Sequence, residues 1–147
     1  MMRAIGPPLS DTERLALIAA ARGYLDVRFR HQGRSERGVD CAGLVAVCLL
    51  AIGREAADVE AYGREPLNQG LRAMCVENFG EPVPKDEMRP GDVALMRFRG
   101  EPSHVGIVTD YPYGGLALIH AFAQVKKVVD QLIDDEWLGN IVEVFRP

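Results

Sequence analysis

The sequence contains no apolar run approaching the ~20 residues needed to cross a bilayer. Its opening segment, MMRAIGPPLSDTER, has no apolar h-region, so no secretory signal is expected there. The three cysteines are too few, and odd in number, so a disulfide scaffold is excluded. There is no internal repeat at the period of solenoids or propellers, and no low-complexity tract. Lys and Arg form no dense stripe, and no glycine-rich phosphate loop follows a strand, so nucleic-acid and nucleotide functions fall away. Neither C-x-x-C nor H-E-x-x-H occurs. A three-ligand site from Cys41, His104 and His120 lacks a fourth donor, and neither metal nor cofactor is expected.

What remains is an ordinary soluble composition. Of 147 residues, 48% are hydrophobic and 26% charged, so the chain has enough apolar surface for one folded domain over residues 1–147. The net charge of −4 gives no overall pull towards nucleic acid or anionic lipid. Up to about Phe79 the apolar residues recur at helical spacing; from Val93 they fall in short β-branched runs. Helices followed by strands predict an α+β fold rather than an alternating parallel one.

Residues 1–9, with Pro7 and Pro8, are expected to form an extended arm. Ser10 and Glu13 then make an S-x-x-E capping box. Leu17, Ala20, Ala21 and Tyr24, widened by Ile18 and Leu25, give the following helix one apolar face. The polar, glycine-punctuated stretch from Phe29 to Gly38 reads as a loop. Asp40 is a candidate N-cap for a helix that is apolar nearly all round and closes at Gly53, the pattern of a central buried helix. A third helix is expected between about Pro66 and Phe79. Strands are expected at Val93–Phe98, His104–Asp110, Leu116–Phe122, Lys126–Ile133 and Ile141–Phe145. Neighbours joined by short loops should pair antiparallel.

Cys41 differs from Cys48 and Cys75 by position. It sits at a helix start, where unpaired N–H groups and the macrodipole favour a thiolate. The competing reading is a small buried hydrophobe, which suits Cys48 and Cys75 as well. A thiolate nucleophile needs a base. If the loop Tyr111–Gly115 is symmetric, Asp110 pairs with Leu116 and Gly106 with His120. His104 and His120 then project from one face of the sheet, one diagonal step apart, with Gly106 leaving room for an imidazole. One ring could act as base and the other orient it. A one-residue slip would put them on opposite faces and leave two ordinary strand histidines.

Four segments carry a family resemblance. Asp40-Cys41-Ala42-Gly43-Leu44 resembles the D-C-S-G-L signature of NlpC-type cell-wall cysteine peptidases. Arg89-Pro90-Gly91-Asp92-Val93 resembles that family's P-G-D-L/V strand start, and Ser103-His104-Val105-Gly106-Ile107 its S-H-V-G-I strand. Ile119-His120-Ala121 resembles the strand bearing its third catalytic residue. The segments from Tyr24 to Arg34 and from Glu136 to Pro147 resemble the phage-tail and gene-transfer-agent branch.

The resemblance implies a papain-like fold, with the nucleophile on a central helix packed on an antiparallel sheet of five or so strands. It implies Cys41 as nucleophile, His104 as base and then acid, and His120 orienting His104. The substrate would be the peptide stem of peptidoglycan, cut after D-glutamate and before the diamino acid. Asp40 and Ser103 are implied candidates for gripping that substrate. Phe29 stands where many members have a cleft tyrosine, so His31 is a candidate to replace its hydroxyl, against the plainer reading of a loop histidine. Ala42 stands where the family usually has serine.

Three functions follow as expectations. The first is a wall endopeptidase made without a signal, assembled into a phage tail or related particle with hub or tip proteins as partners, and acting in the periplasm or cell wall. The second is a structural tail-hub plug with little chemistry. The third is an amidase or acyltransferase using the same Cys–His pair.

Overall fold

The computed structural model describes residues 6–55 and 67–147, with backbone alone for 67–69. The first five residues of the expected arm and the expected helix start at Pro66 lie outside the described residues.

Helix α1 (Asp11–Gly23) starts at the capping box: Glu13 N–H donates to Ser10 Oγ at 3.1 Å, and Ser10 N–H donates to Glu13 Oε1 at 3.0 Å. Leu17, Ile18 and Ala21 bury its inner face. The stretch expected to be a loop contains a small antiparallel ribbon, β1 (Arg34–Ser35) and β2 (Gly38–Val39). Only glycine fits at position 38, because a Cβ there would lie 2.6 Å from Arg30 Cβ. Nothing in the hydrophobic pattern announces this close approach.

Helix α2 (Cys41–Ala51) is capped by Asp40, whose Oδ1 accepts the Gly43 N–H at 2.8 Å. Every residue from 41 to 49 is buried, and Gly53 beyond the C-cap takes a positive φ of 82°. Helix α3 (Leu67–Phe79) adds Leu71, Met74, Cys75 and Phe79 to the same core.

The sheet has the order β6-β5-β4-β3-β7, antiparallel throughout. Strands β4 (His104–Asp110), β5 (Leu116–Phe122) and β7 (Ile141–Phe145) have the expected bounds. β6 (Lys127–Leu132) is one residue shorter at each end than expected. β3 (Val93–Met96) stops two residues early, where its register against β7 shifts between Leu95 and Met96. A short helix, α4 (Asp135–Asn140), was not legible in the sequence because six residues are too few to display a helical period.

Alternation along the strands sorts the two faces. Val93, Leu95, Val105, Ile107, Ile119 and Ala121 pack with α1, α2 and α3 in the main core. Ala94, Met96, Val108, Leu118 and Val144 face the other way, against Met88 and Trp137. The start of β3 is held by a buried carboxylate. Asp92 pairs with Arg14 of α1 at 2.9 Å and with Arg146 beyond β7 at 3.0 Å through both oxygens. One anion therefore fastens three distant segments.

Candidate active site

Cys41 is the first residue of α2, and its surroundings are tightly fixed. Asp40 is 1% exposed and accepts the Gln32 N–H at 2.8 Å and Arg34 Nη1 at 2.9 Å as well as the cap bond. A Cβ on Gly43 would lie 2.1 Å from Gly33 O, so the ribbon segment presses directly on the helix start. Cys41 itself is only 4% exposed, and the backbone N–H groups of Val105 and Ala42 face its sulfur. Burial, reinforced by the Asp40 charge, pushes its thiol up to about 12 against those N–H groups and Arg34. The helix terminus was expected to favour a thiolate at Cys41; here desolvation outweighs it. Burial likewise pushes Cys48 and Cys75 up to about 12.

The strand register is the one the symmetric loop implies. Asp110 pairs with Leu116 and Ile107 with Ile119. A Cβ on Gly106 would stand 3.1 Å from His120 Cβ, so the glycine does make room for that ring. His104 Nε2 and His120 Nδ1 are 2.7 Å apart, with ring planes inclined by 70°. His104 is 7% exposed and His120 fully buried. Burial lowers His104 to about 3, with the neighbouring His120 adding to the shift, and lowers His120 to about 4. Both rings are therefore neutral at pH 7.

Three rings surround this pair. Phe98 and Phe122 lie 5.7 and 5.6 Å from His104, and Phe122 and Trp137 lie 5.0 and 5.3 Å from His120. His120 Nε2 is buried with no partner among the described residues. Val105, next to His104 on β4, packs with Cys41 in the main core, and its backbone N–H faces the sulfur. Among the described residues Cys41 Sγ has no hydrogen bond to either ring.

The other expected site residues fall in two groups. Ser103 is half-buried immediately before His104, its N–H donating to Met96 O at 3.0 Å. Phe29 and His31 are half-buried on the segment beside the helix start, which the Gln32–Asp40 bond ties down. Phe29 packs on the main core, and its N–H donates to Lys126 O at 2.8 Å. Asp40 turns its oxygens to the cap, the loop and Arg34. Sequence reasoning missed Arg34 and the three aromatic rings. Phe122 could have been found, since it lies two residues after His120 on the same strand face; Trp137 could not, because its helix was not legible.

No group of three or more His, Cys, Asp or Glu side chains is placed to hold a metal ion among the described residues. Nor is any helix among them long and apolar enough to cross a membrane.

A cysteine starting a buried central helix, set against an antiparallel sheet bearing a hydrogen-bonded histidine pair, is the architecture of a papain-like thiol enzyme. The sequence profile of the NlpC/P60 family matches residues 26–146, and the chain belongs to that family. No curated protein matches the chain by sequence. Among solved structures, an NlpC/P60 family protein from Bacillus cereus superposes with a TM-score of 0.67 at 17% identity, covering 95% of this chain and 41% of its own. The NlpC/p60 domain of the peptidoglycan hydrolase SagA gives 0.63 at 20% identity, covering 91% of this chain and 98% of that domain. An N-acetylmuramoyl-L-alanine amidase from Bacteroides uniformis gives 0.58 at 14% identity, covering 92% and 99%. These likenesses establish the fold. The chain spans about two-fifths of the length of the Bacillus cereus protein.

Proposed function

We propose that this chain is a cysteine endopeptidase that hydrolyses the peptide stem of bacterial peptidoglycan, at the D-glutamyl–diamino acid bond, with Cys41 as nucleophile, His104 as base and His120 as its orienter. The observation that carries the reading is the 2.7 Å bond between two buried histidines beside the cysteine helix. Its family membership and the SagA domain's likeness support the substrate class.

The ring environment favours one proton arrangement. The buried Nε2 of His120 has no hydrogen-bond partner among the described residues, the rings of Phe122 and Trp137 lie 5.0 and 5.3 Å from its ring, and an N–H suits aromatic surroundings better than a lone pair does. With its proton on Nε2, His120 accepts at Nδ1. His104 then donates from Nε2, and its Nδ1 lone pair is left to act as base.

Catalysis starts from a neutral thiol and a neutral imidazole. As the sulfur bonds to the peptide carbonyl carbon, the thiol proton passes to His104 Nδ1 and the carbonyl π electrons move onto oxygen, where the Cys41 N–H receives the negative charge. The tetrahedral intermediate collapses by breaking the C–N bond, and His104 returns its proton to the departing amine. Water, deprotonated by His104, then hydrolyses the thioester and restores the thiol. Asp40 fixes the helix start that presents the sulfur, while Ser103, His31 and Phe29 are the substrate-facing candidates.

Delivery by a phage tail or phage-like particle, with hub or tip proteins as partners and the periplasm or wall as the place of action, rests on the resemblance of residues 24–34 and 136–147 to that branch. Purified sacculi and synthetic stem peptides test the activity. The wild type should release new amino termini and Cys41→Ala should not; full activity in that variant would end the mechanism. Product masses distinguish this cut from that of an amidase or acyltransferase.

A second reading, a structural tail-hub plug, is favoured by one observation: burial raises all three thiols alike, to about 12. Alkylation in the presence of stem peptide separates the two. Selective labelling of Cys41 supports the enzyme, and equal resistance of all three cysteines supports the plug.

A further inference from the structure

The chain is acidic overall, at −4, yet one face beside the nucleophile is cationic. Arg28, Arg30, Arg37 and Lys126 are all exposed. Their neighbours Arg22, Arg34 and Lys127 are paired with Asp110, Asp40 and Asp26, whereas these four form no ion pair among the described residues. Glu36 is the one acidic side chain in the ribbon segment between Phe29 and Val39.

The four are brought together by backbone pairing. Arg28 bridges Lys127, and the Phe29 N–H donates to Lys126 O at 2.8 Å. The side chains of Arg28 and Arg30 both lie over Gly38, the neighbour of Arg37. A Cβ at Gly38 would meet Arg30 Cβ at 2.6 Å and Arg28 Cγ at 3.4 Å. The patch also reaches the nucleophile. Arg30 N–H donates to Val39 O at 3.0 Å, and Val39 stands two residues before Cys41. At 3.8 Å per residue the patch therefore begins within about 10 Å of the nucleophile's backbone.

We infer that this cationic ledge is a docking surface for the uncut polymer, engaging carboxylates of peptide stems next to the one being cleaved. The inference rests on the peptidoglycan reading above. A stem containing D-glutamate, a diamino acid and a C-terminal residue carries more carboxylates than amines, so the wall network presents an array of negative charge. Exposed cations beside the start of α2 attract that array over the distance of ionic screening, about 10 Å at 0.1 M salt and about 3 Å at 1 M. A single short stem bound at Cys41 is too small to reach the ledge as well and gains nothing from it, whereas the network covers both.

The test uses the full chain with Arg28, Arg30, Arg37 and Lys126 all changed to Gln, its fold checked by its thermal transition against the parent. In a Cys41→Ala background, co-sedimentation with purified sacculi reports binding without turnover. The parent should pellet at low salt and be released near about 0.5 M, while the Gln variant should bind at least about fivefold less at low salt. With Cys41 intact, the variant should lose sacculus digestion by a similar factor while cleaving a short soluble stem peptide within about twofold of the parent. Equal binding of the two proteins, or an equal loss on both substrates, overturns the ledge. So does competition by duplex DNA as effective as that by solubilised wall polymer, which would mean an unselective polyanion surface. If salt-sensitive, ledge-dependent binding is seen and no substrate is cut, the ledge stands and the hydrolase reading fails.

Discussion

His104 and His120 meet across two neighbouring antiparallel strands, Nε2 to Nδ1 at 2.7 Å, and the residue opposite His120 is Gly106. On the proposed mechanism His104 Nδ1 is the nitrogen that serves the nucleophile, and an acceptor at position 120 holds the proton on Nε2. His120→Ala removes the acceptor and should lower kcat/KM by about 10²–10³, whereas His120→Asn restores a carbonyl oxygen and should stay within about tenfold of wild type. Ring ¹⁵N shifts of His104 give an independent reading. They should report an Nε2–H tautomer in the wild type and in His120→Asn, and a tautomer mixture in His120→Ala.

The same pair makes stability depend on pH. Both histidines have folded values below their ordinary 6.5, about 3 for His104 and about 4 for His120. Between those values and 6.5 the unfolded chain binds more protons than the folded one, so stability falls as pH falls. From pH 7 to pH 5 the loss should be roughly 2–4 kcal/mol, read from urea midpoints. The dependence should largely vanish in a His104→Gln, His120→Gln double variant. A flat profile in the wild type would mean that the rings are hydrated.

Gly106→Ala should damage activity more than folding. The added methyl meets His120 Cβ at 3.1 Å, Ile119 O at 3.3 Å and Leu118 Cδ2 at 3.3 Å, so the His120 ring is pushed off its partner. A cost of about 1–3 kcal/mol in stability is expected from overpacking, with kcat/KM down at least about tenfold. Denaturant curves and kinetics on one preparation check both numbers.

Trp137→Ala should shift the pH profile. Trp137 stands 5.3 Å from His120 with its ring edge-on at 75°, and its loss admits water to a ring that burial holds near 4. The histidine values should rise towards 6.5, moving the acid limb of kcat/KM to higher pH while the thermal transition changes modestly.

Asp92→Ala should be among the most destabilising single changes away from the site. It removes the carboxylate partner of Arg14, whose side chain is 6% exposed and whose Nη1 already lacks a partner among the described residues, and the same carboxylate partner of Arg146. Breaking a buried ion pair from one side costs about 3–5 kcal/mol. Chemical denaturation measures it.

Much of this was legible from the chain alone, and the reasons differ by element. The capping box at Ser10 and Glu13 and the cap at Asp40 are local signals, each set by residues three apart in sequence. The β4–β5 register followed from one tight loop, because a short connection leaves few pairings open. What escaped depends on contacts between distant segments. The ribbon at Arg34–Val39 exists because Gly38 admits Arg30, and the partner roles of Asp92 and Arg34 need the folded chain. Cys41 is the instructive case. Its position at a helix start was read correctly, but the chemistry inferred from that position omitted the core that closes over it.

The burial of Cys41 also bears on how the protein would withstand oxidants. Peroxide and disulfides react with thiolate, and a thiol held near 12 supplies roughly a thousandfold less of it at neutral pH than a free cysteine does. Cys48 and Cys75 are equally withdrawn, so the described fold offers no neighbouring reactive sulfur for mixed-disulfide exchange. A chain carrying Cys41 in this form should keep that sulfur reduced in an oxidising medium for longer than it would an exposed thiol.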